Sequence, residues 1–134
     1  MLNINELKKI HDQIEQDLLE LEVIISEEDI NYPNFTHTFK KVNELWDWHE
    51  GEEKFLFKKL KEKGYGIPYH PILFSCGKLK RYKKDLLEAL GSGSEIKMKE
   101  ALTSSGLKMI KNLREHMKLE NEILYRLPKE CFAD

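Results

Sequence analysis

Apolar residues recur along this chain at intervals of three and four, the spacing that aligns side chains on one face of an α-helix. The first stretch carries Leu7, His11, Ile14, Leu18, Leu21 and Ile25 at such positions. A second carries Phe35, Phe39, Val42, Trp46, His49, Glu53, Leu56 and Leu60. The last carries Leu102, Gly106, Met109, Leu113, His116, Glu120, Ile123 and Leu127. Between them lies a noisier stretch with Ile72, Cys76, Leu79, Leu86 and Leu90, interrupted by Lys83. No segment alternates as a half-buried strand would. Turn chemistry separates the four stretches. Asn31-Tyr32-Pro33-Asn34 sets a proline at the start of the second helix, and Gly64 is placed to end that helix in the left-handed conformation. Gly91-Ser92-Gly93-Ser94 closes the third, Ser94 can cap the fourth, and Pro128 marks its end. The pattern predicts an all-α fold, an antiparallel up-down-up-down four-helix bundle, formed by residues 1–134 as a single domain.

Polar residues interrupt the apolar stripes at particular places. His11 takes a core position of the first helix. His49 and Glu53 take consecutive core positions of the second, and His116 and Glu120 do so on the fourth. Residues four apart lie on one face about a turn apart, so each His-x-x-x-Glu pair points both side chains the same way. A bare His-x-x-x-Glu match says little in a chain this rich in glutamate, and a lone core histidine is usually a hydrogen-bonded structural residue. Register gives the motif its weight. Glu50, Glu52, Glu115 and Glu122 fall outside the stripes, whereas Glu53 and Glu120 fall inside them. An ionised carboxylate in an apolar interior costs several kcal/mol unless it is paired or binds metal. No lysine or arginine occupies the stripes of the first, second or fourth helix near these levels, so an external cation is expected. Imidazole with carboxylate suits iron, manganese or zinc. His11, His49, His70 and His116 stand at similar distances from the turns that join their helices. His70 precedes Pro71 and belongs to the loop or first turn of the third helix, where it is either a ligand or a solvent-facing residue. His37 lies off the stripe and is expected to be exposed.

Net charge is −2, from 22 basic and 24 acidic residues, which offers no electrostatic case for nucleic acid or an anionic membrane. No stretch approaches the roughly 20 apolar residues of a membrane span. The polar, amphipathic start of the chain does not read as a signal peptide, and Cys76 and Cys131 do not suggest a disulfide framework. A cytoplasmic location is expected. Lys78, Lys80, Arg81, Lys83 and Lys84 form either a solvated helix face or a dock for an acidic redox partner. Trp48 and Phe55 fall off the second stripe and mark either a dimer contact or packing against a neighbouring helix.

One histidine on the first helix, His-x-x-x-Glu on the second and fourth, and a histidine at the third together resemble the hemerythrin-like, or HHE cation-binding, domain. The likeness spans nearly the whole chain. It is strongest in Leu113-Arg114-Glu115-His116-Met117-Lys118-Leu119-Glu120 and then in Trp48-His49-Glu50-Gly51-Glu52-Glu53. The resemblance implies a non-haem centre of two iron ions joined by an oxo or hydroxo group. His11, His49, His70 and His116 would be terminal ligands, and Glu53 and Glu120 would bridge. It implies binding of O2 or NO for oxygen binding or sensing. The alternative is a di-iron enzyme that reduces peroxide or NO or repairs iron–sulfur clusters. Two features depart from the oxygen-carrying members. The residue four after His70 is Phe74, and Glu120 follows His116 by four where those proteins have an aspartate at five. One ligand fewer leaves more open coordination positions.

Overall fold

The computed structural model of the chain describes residues 4–65 and 69–125; the side chains of residues 4, 69–76, 124 and 125 lie outside that description. Every regular element among the described residues is helical: α1 (Ile4–Ser26), α2 (Tyr32–Glu62), α3 (Tyr69–Leu90), α4 (Glu95–Ala101) and α5 (Leu107–Tyr125). A π-helical turn, Leu102–Gly106, joins α4 to α5, so those two and the turn make one fourth helical segment.

Local chemistry sets the ends. Asn31 caps α2, its Oδ1 accepting the Asn34 backbone N–H at 3.0 Å, and Pro33 follows in the first turn where its missing N–H costs nothing. At the other end Gly64 adopts φ +90°, and the Tyr65 and Gly64 amides return to the Leu60 and Lys61 carbonyls at 3.0 Å each. Those two bonds form the Schellman closure that a left-handed glycine permits. Ser94 caps α4 by accepting the Lys97 amide at 3.3 Å.

The stripes face a shared interior. Leu7, Ile14, Leu18, Leu21 and Ile25 of α1 meet Phe35, Phe39, Val42 and Trp46 of α2, Leu79 and Leu86 of α3, and Leu102, Met109 and Leu113 of the fourth segment. Burying each of the larger side chains contributes roughly 1.5–3 kcal/mol relative to leaving it in water. A second, smaller cluster packs Phe57 and Leu60 of α2 with Leu56, Tyr65, Leu119 and Ile123. On α2 the sequence pattern put Leu56 in the stripe; the structure buries Phe57 more deeply and leaves Leu56 half-buried. The step from Glu53 can be three or four residues, and the larger ring wins the inward position.

The π turn was not foreseen. Ser104-Ser105-Gly106 are weak helix formers, and a wider turn costs least in such a stretch. Gly106 is buried there, and a Cβ on it would stand 3.4 Å from Ile25 Cδ1 and 3.7 Å from Leu86 Cδ2. His37 is exposed, as its off-stripe position implies. No described helix is long and apolar enough to cross a membrane.

Candidate metal centre

Between the two apolar clusters sit the polar residues of the stripes. α1 packs against α2 and α5, which brings His11, His49, Glu53, His116 and Glu120 to one place although they span most of the chain. All five are buried. His11 Nε2 lies 2.8 Å from His49 Nε2 and 3.6 Å from Glu120 Oε1, and His49 Nε2 lies 3.3 Å from that same oxygen. On the other side His116 Nε2 lies 3.1 Å from Glu53 Oε2 and 3.5 Å from Glu120 Oε2. His49 Nδ1 faces Glu53 Oε2 at 3.5 Å.

These contacts form two triads, His11/His49/Glu120 and Glu53/His116/Glu120. Glu120 belongs to both, presenting one oxygen to each. Neither oxygen accepts a hydrogen bond of good geometry, and both are sealed from solvent; the Nδ1 atoms of His49 and His116 likewise make no hydrogen bond. Unsatisfied buried polar atoms are rare, and here four of them gather in one spot. A buried set of imidazole nitrogens and carboxylate oxygens, four of its atoms without a hydrogen bond, is one that a metal ion satisfies once the ligands give up their protons, so the cluster can hold metal ions. Among the described residues the ion-pair partners of Glu53 and Glu120 are histidines.

The two carboxyls are driven apart. Burial would raise Glu120, but the imidazoles of His11, His116 and His49 outweigh it and hold the group well below the usual carboxylate range. Burial raises Glu53 to about 7; the hydrogen bond from His116 opposes this, and the charge on Glu120 adds to it. Burial would depress His116, yet the two carboxylates beside it push it up to about 9.

Neighbouring side chains orient the cluster. His11 Nδ1–H donates to Asn121 Oδ1 at 2.9 Å, which leaves the neutral ring's lone pair on Nε2, turned to the site. The Trp46 indole stacks on His49 with ring centres 4.7 Å apart and meets His116 edge-on at 4.8 Å. Its Nε1–H donates to Glu50 Oε1 at 2.8 Å, fixing the indole in that position. Beside the site, Arg114 of α5 bridges to Glu15, at 2.8 Å, and to Glu22 of α1, tying the two helices together.

Of the six residues expected as ligands, five stand together. The sixth, His70, lies in the first turn of α3, and its side chain is outside the described residues. Asn121 and Glu50 were missed by the stripe pattern, for both sit at its margin. The one signal for Asn121 was its position next to Glu120.

Comparison with protein-family models, with curated proteins and with solved structures gives no match for this chain.

Proposed function

We propose that the chain is a hemerythrin-like protein: an up-down-up-down four-helix bundle that holds two iron ions and uses them to bind O2 or NO. The observation that carries this reading is the sharing of Glu120, with each buried oxygen turned to a different His-containing triad. One carboxylate facing two triads matches a pair of adjacent ions better than a single one. The antiparallel course is supported by contacts whose numbers run in opposite directions. His11 meets His49 while Asp17 meets Lys41, and His11 meets Asn121 while Glu22 meets Arg114.

In this reading His11, His49 and Glu120 would hold one ion, and Glu53, His116 and Glu120 would hold the other. Iron, when bound, supplies the electrons and open positions that a diatomic gas needs. The protein's own part is to position and to exclude water. Asn121 holds His11 in the ligating tautomer, and Trp46 holds the planes of His49 and His116. The large core on one side and the Phe57/Leu60 cluster on the other keep the site dry.

Iron analysis of protein produced in iron-supplemented cells tests the reading. The wild type is expected to carry about two irons per chain and the Glu53→Ala/Glu120→Ala variant close to none. Unchanged iron in the variant would falsify the assignment. Reduced, iron-loaded protein kept from air is then expected to gain visible absorption on exposure to O2 or NO. A colourless response to both gases would overturn the gas-binding part.

A further inference from the structure

The face of α2 that points away from the metal centre has a pattern the site does not use. Trp48 and Phe55 are half-exposed, at 51% and 49%, and stand seven residues apart on one side of the helix. Gly51 lies between them, exposed in mid-helix. A Cβ built there meets nothing within 4 Å, so no contact inside the chain calls for glycine. Glycine weakens a helix interior, and an exposed one with open space around it invites the close approach of another backbone. Around this centre Lys41, Glu44, Glu52, Lys59 and Glu62 complete the same face, opposite the stripe of Phe39, Trp46, Glu53 and Phe57.

The order of these residues is self-complementary on reversal. About the midpoint between Gly51 and Glu52, Trp48 exchanges with Phe55, Glu44 with Lys59, and Lys41 with Glu62. Two copies of α2 laid antiparallel across that point would set each aromatic against the other copy's aromatic, Glu44 against Lys59 and Lys41 against Glu62, with Glu52 lying over the open space at Gly51. A two-fold contact requires this of a single patch, whereas a foreign partner does not. We infer that this face of α2 is the seam of a homodimer, with the helices crossing at Gly51.

Within one chain Lys59 already sits over the Phe55 ring, its Nζ 5.4 Å from the centre, and Lys41 reaches Asp17 at 3.7 Å. Both cations are therefore held on this face of α2, Lys59 where Glu44 of a second copy would meet it and Lys41 where Glu62 would. One helix face makes a small interface, at the lower end of the size range for specific contacts, so the dimer is expected to dissociate on dilution.

Sedimentation equilibrium of the full chain across the micromolar range, with tryptophan emission followed in parallel, tests this. The expected result is reversible dimerisation, with a blue shift of emission as Trp48 is covered. Trp48→Ala and Phe55→Ala should each weaken it by roughly tenfold or more. Glu44→Lys and Lys59→Glu should each weaken it, and the two together should restore most of the loss, which a change in folding would not do. Either a monomer at every concentration or a dimer that none of these substitutions moves would overturn the inference.

Discussion

The two halves of the buried cluster are built from the same letters and behave differently. Glu53 and Glu120 each follow a histidine by four residues, and each lies in the interior of its helix pair. Yet Glu120 is faced by three imidazoles and stays ionised, whereas Glu53 leans on His116 and sits near neutrality, at about 7. The His11/His49/Glu120 half also has a fixed outer contact, Asn121 on His11 Nδ1, whereas the Nδ1 atoms of His49 and of His116, the one histidine of the other half, make no hydrogen bond. Local motif is thus a poor guide to role. The number of neighbours that other helices bring to a carboxylate decides whether it is a permanent anion or a group that waits for a cation.

The largest expected effect comes from breaking what the halves share. Glu120→Gln keeps the shape of the side chain and removes the charge that serves both triads, so it should abolish nearly all bound iron. Glu53→Gln touches one triad and should leave about half, since the three donors of the other remain. Metal analysis of the two variants, with circular dichroism to confirm equal helix content, makes the check. Equal losses would mean the site is not divided as the contacts suggest.

The sequence made the membership of this cluster legible, but not its division into halves. On α1, α2 and α5 the three-and-four spacing put His11, His49, Glu53, His116 and Glu120 inside, and all five are there, because a long amphipathic helix has few ways to face a core. What spacing cannot carry is contact across helices. Asp17 is buried between Ile14 and Leu18 with Lys41 as its partner, and Asn121 reaches His11 from α5. Gln13, a turn earlier on α1, also donates to Asp17 at 3.2 Å, but the Lys41 and Asn121 contacts do not follow from a single helix, because each joins two. The π turn escaped for a related reason. Leu102, Gly106 and Met109 fit an ordinary helix in one dimension, and nothing in their spacing marks the wider turn at Leu102–Gly106.

Protonation sharpens the comparison next. In the metal-free protein Glu53 is raised from 4.5 to about 7 and His116 from 6.5 to about 9. A raised group stabilises the fold below its unfolded value and loses that contribution as pH climbs through the folded one. Glu53 therefore withdraws support between about 4.5 and 7, and His116 between about 6.5 and 9. Glu120, shifted the other way, contributes above its unfolded value and loses support only in acid. The metal-free protein should melt about 5–10 °C lower near pH 9 than near pH 6, for a loss on the order of 2 kcal/mol. Metal needs the deprotonated ligands, so iron affinity should rise over the same interval with release of protons. Thermal scans of metal-free and loaded protein at both pH values test the sign. A metal-free protein that gains stability towards pH 9 would contradict the environments described for Glu53 and His116.

The smallest effect, and the most selective, is expected at Asn121. Its Oδ1 accepts from His11 Nδ1 on the outer side of the ring, so it touches no ion in the proposed site and acts only through the imidazole. In Asn121→Ala the His11 ring is free to move its proton to Nε2 or to rotate, and the first half loses a fixed donor. Loss of such an outer contact typically weakens metal binding by roughly 10–100-fold. The halves should then separate: one ion weakly held, the other nearly as tight as before. Asn121→Asp, which keeps the acceptor, should restore binding to the first half, whereas a merely packing role would not distinguish aspartate from alanine so sharply. Stepwise titration with a redox-inert divalent ion reads the two affinities apart. Parallel weakening of both steps would place Asn121 among residues that hold the whole cluster and remove the distinction between the halves that its single contact implies.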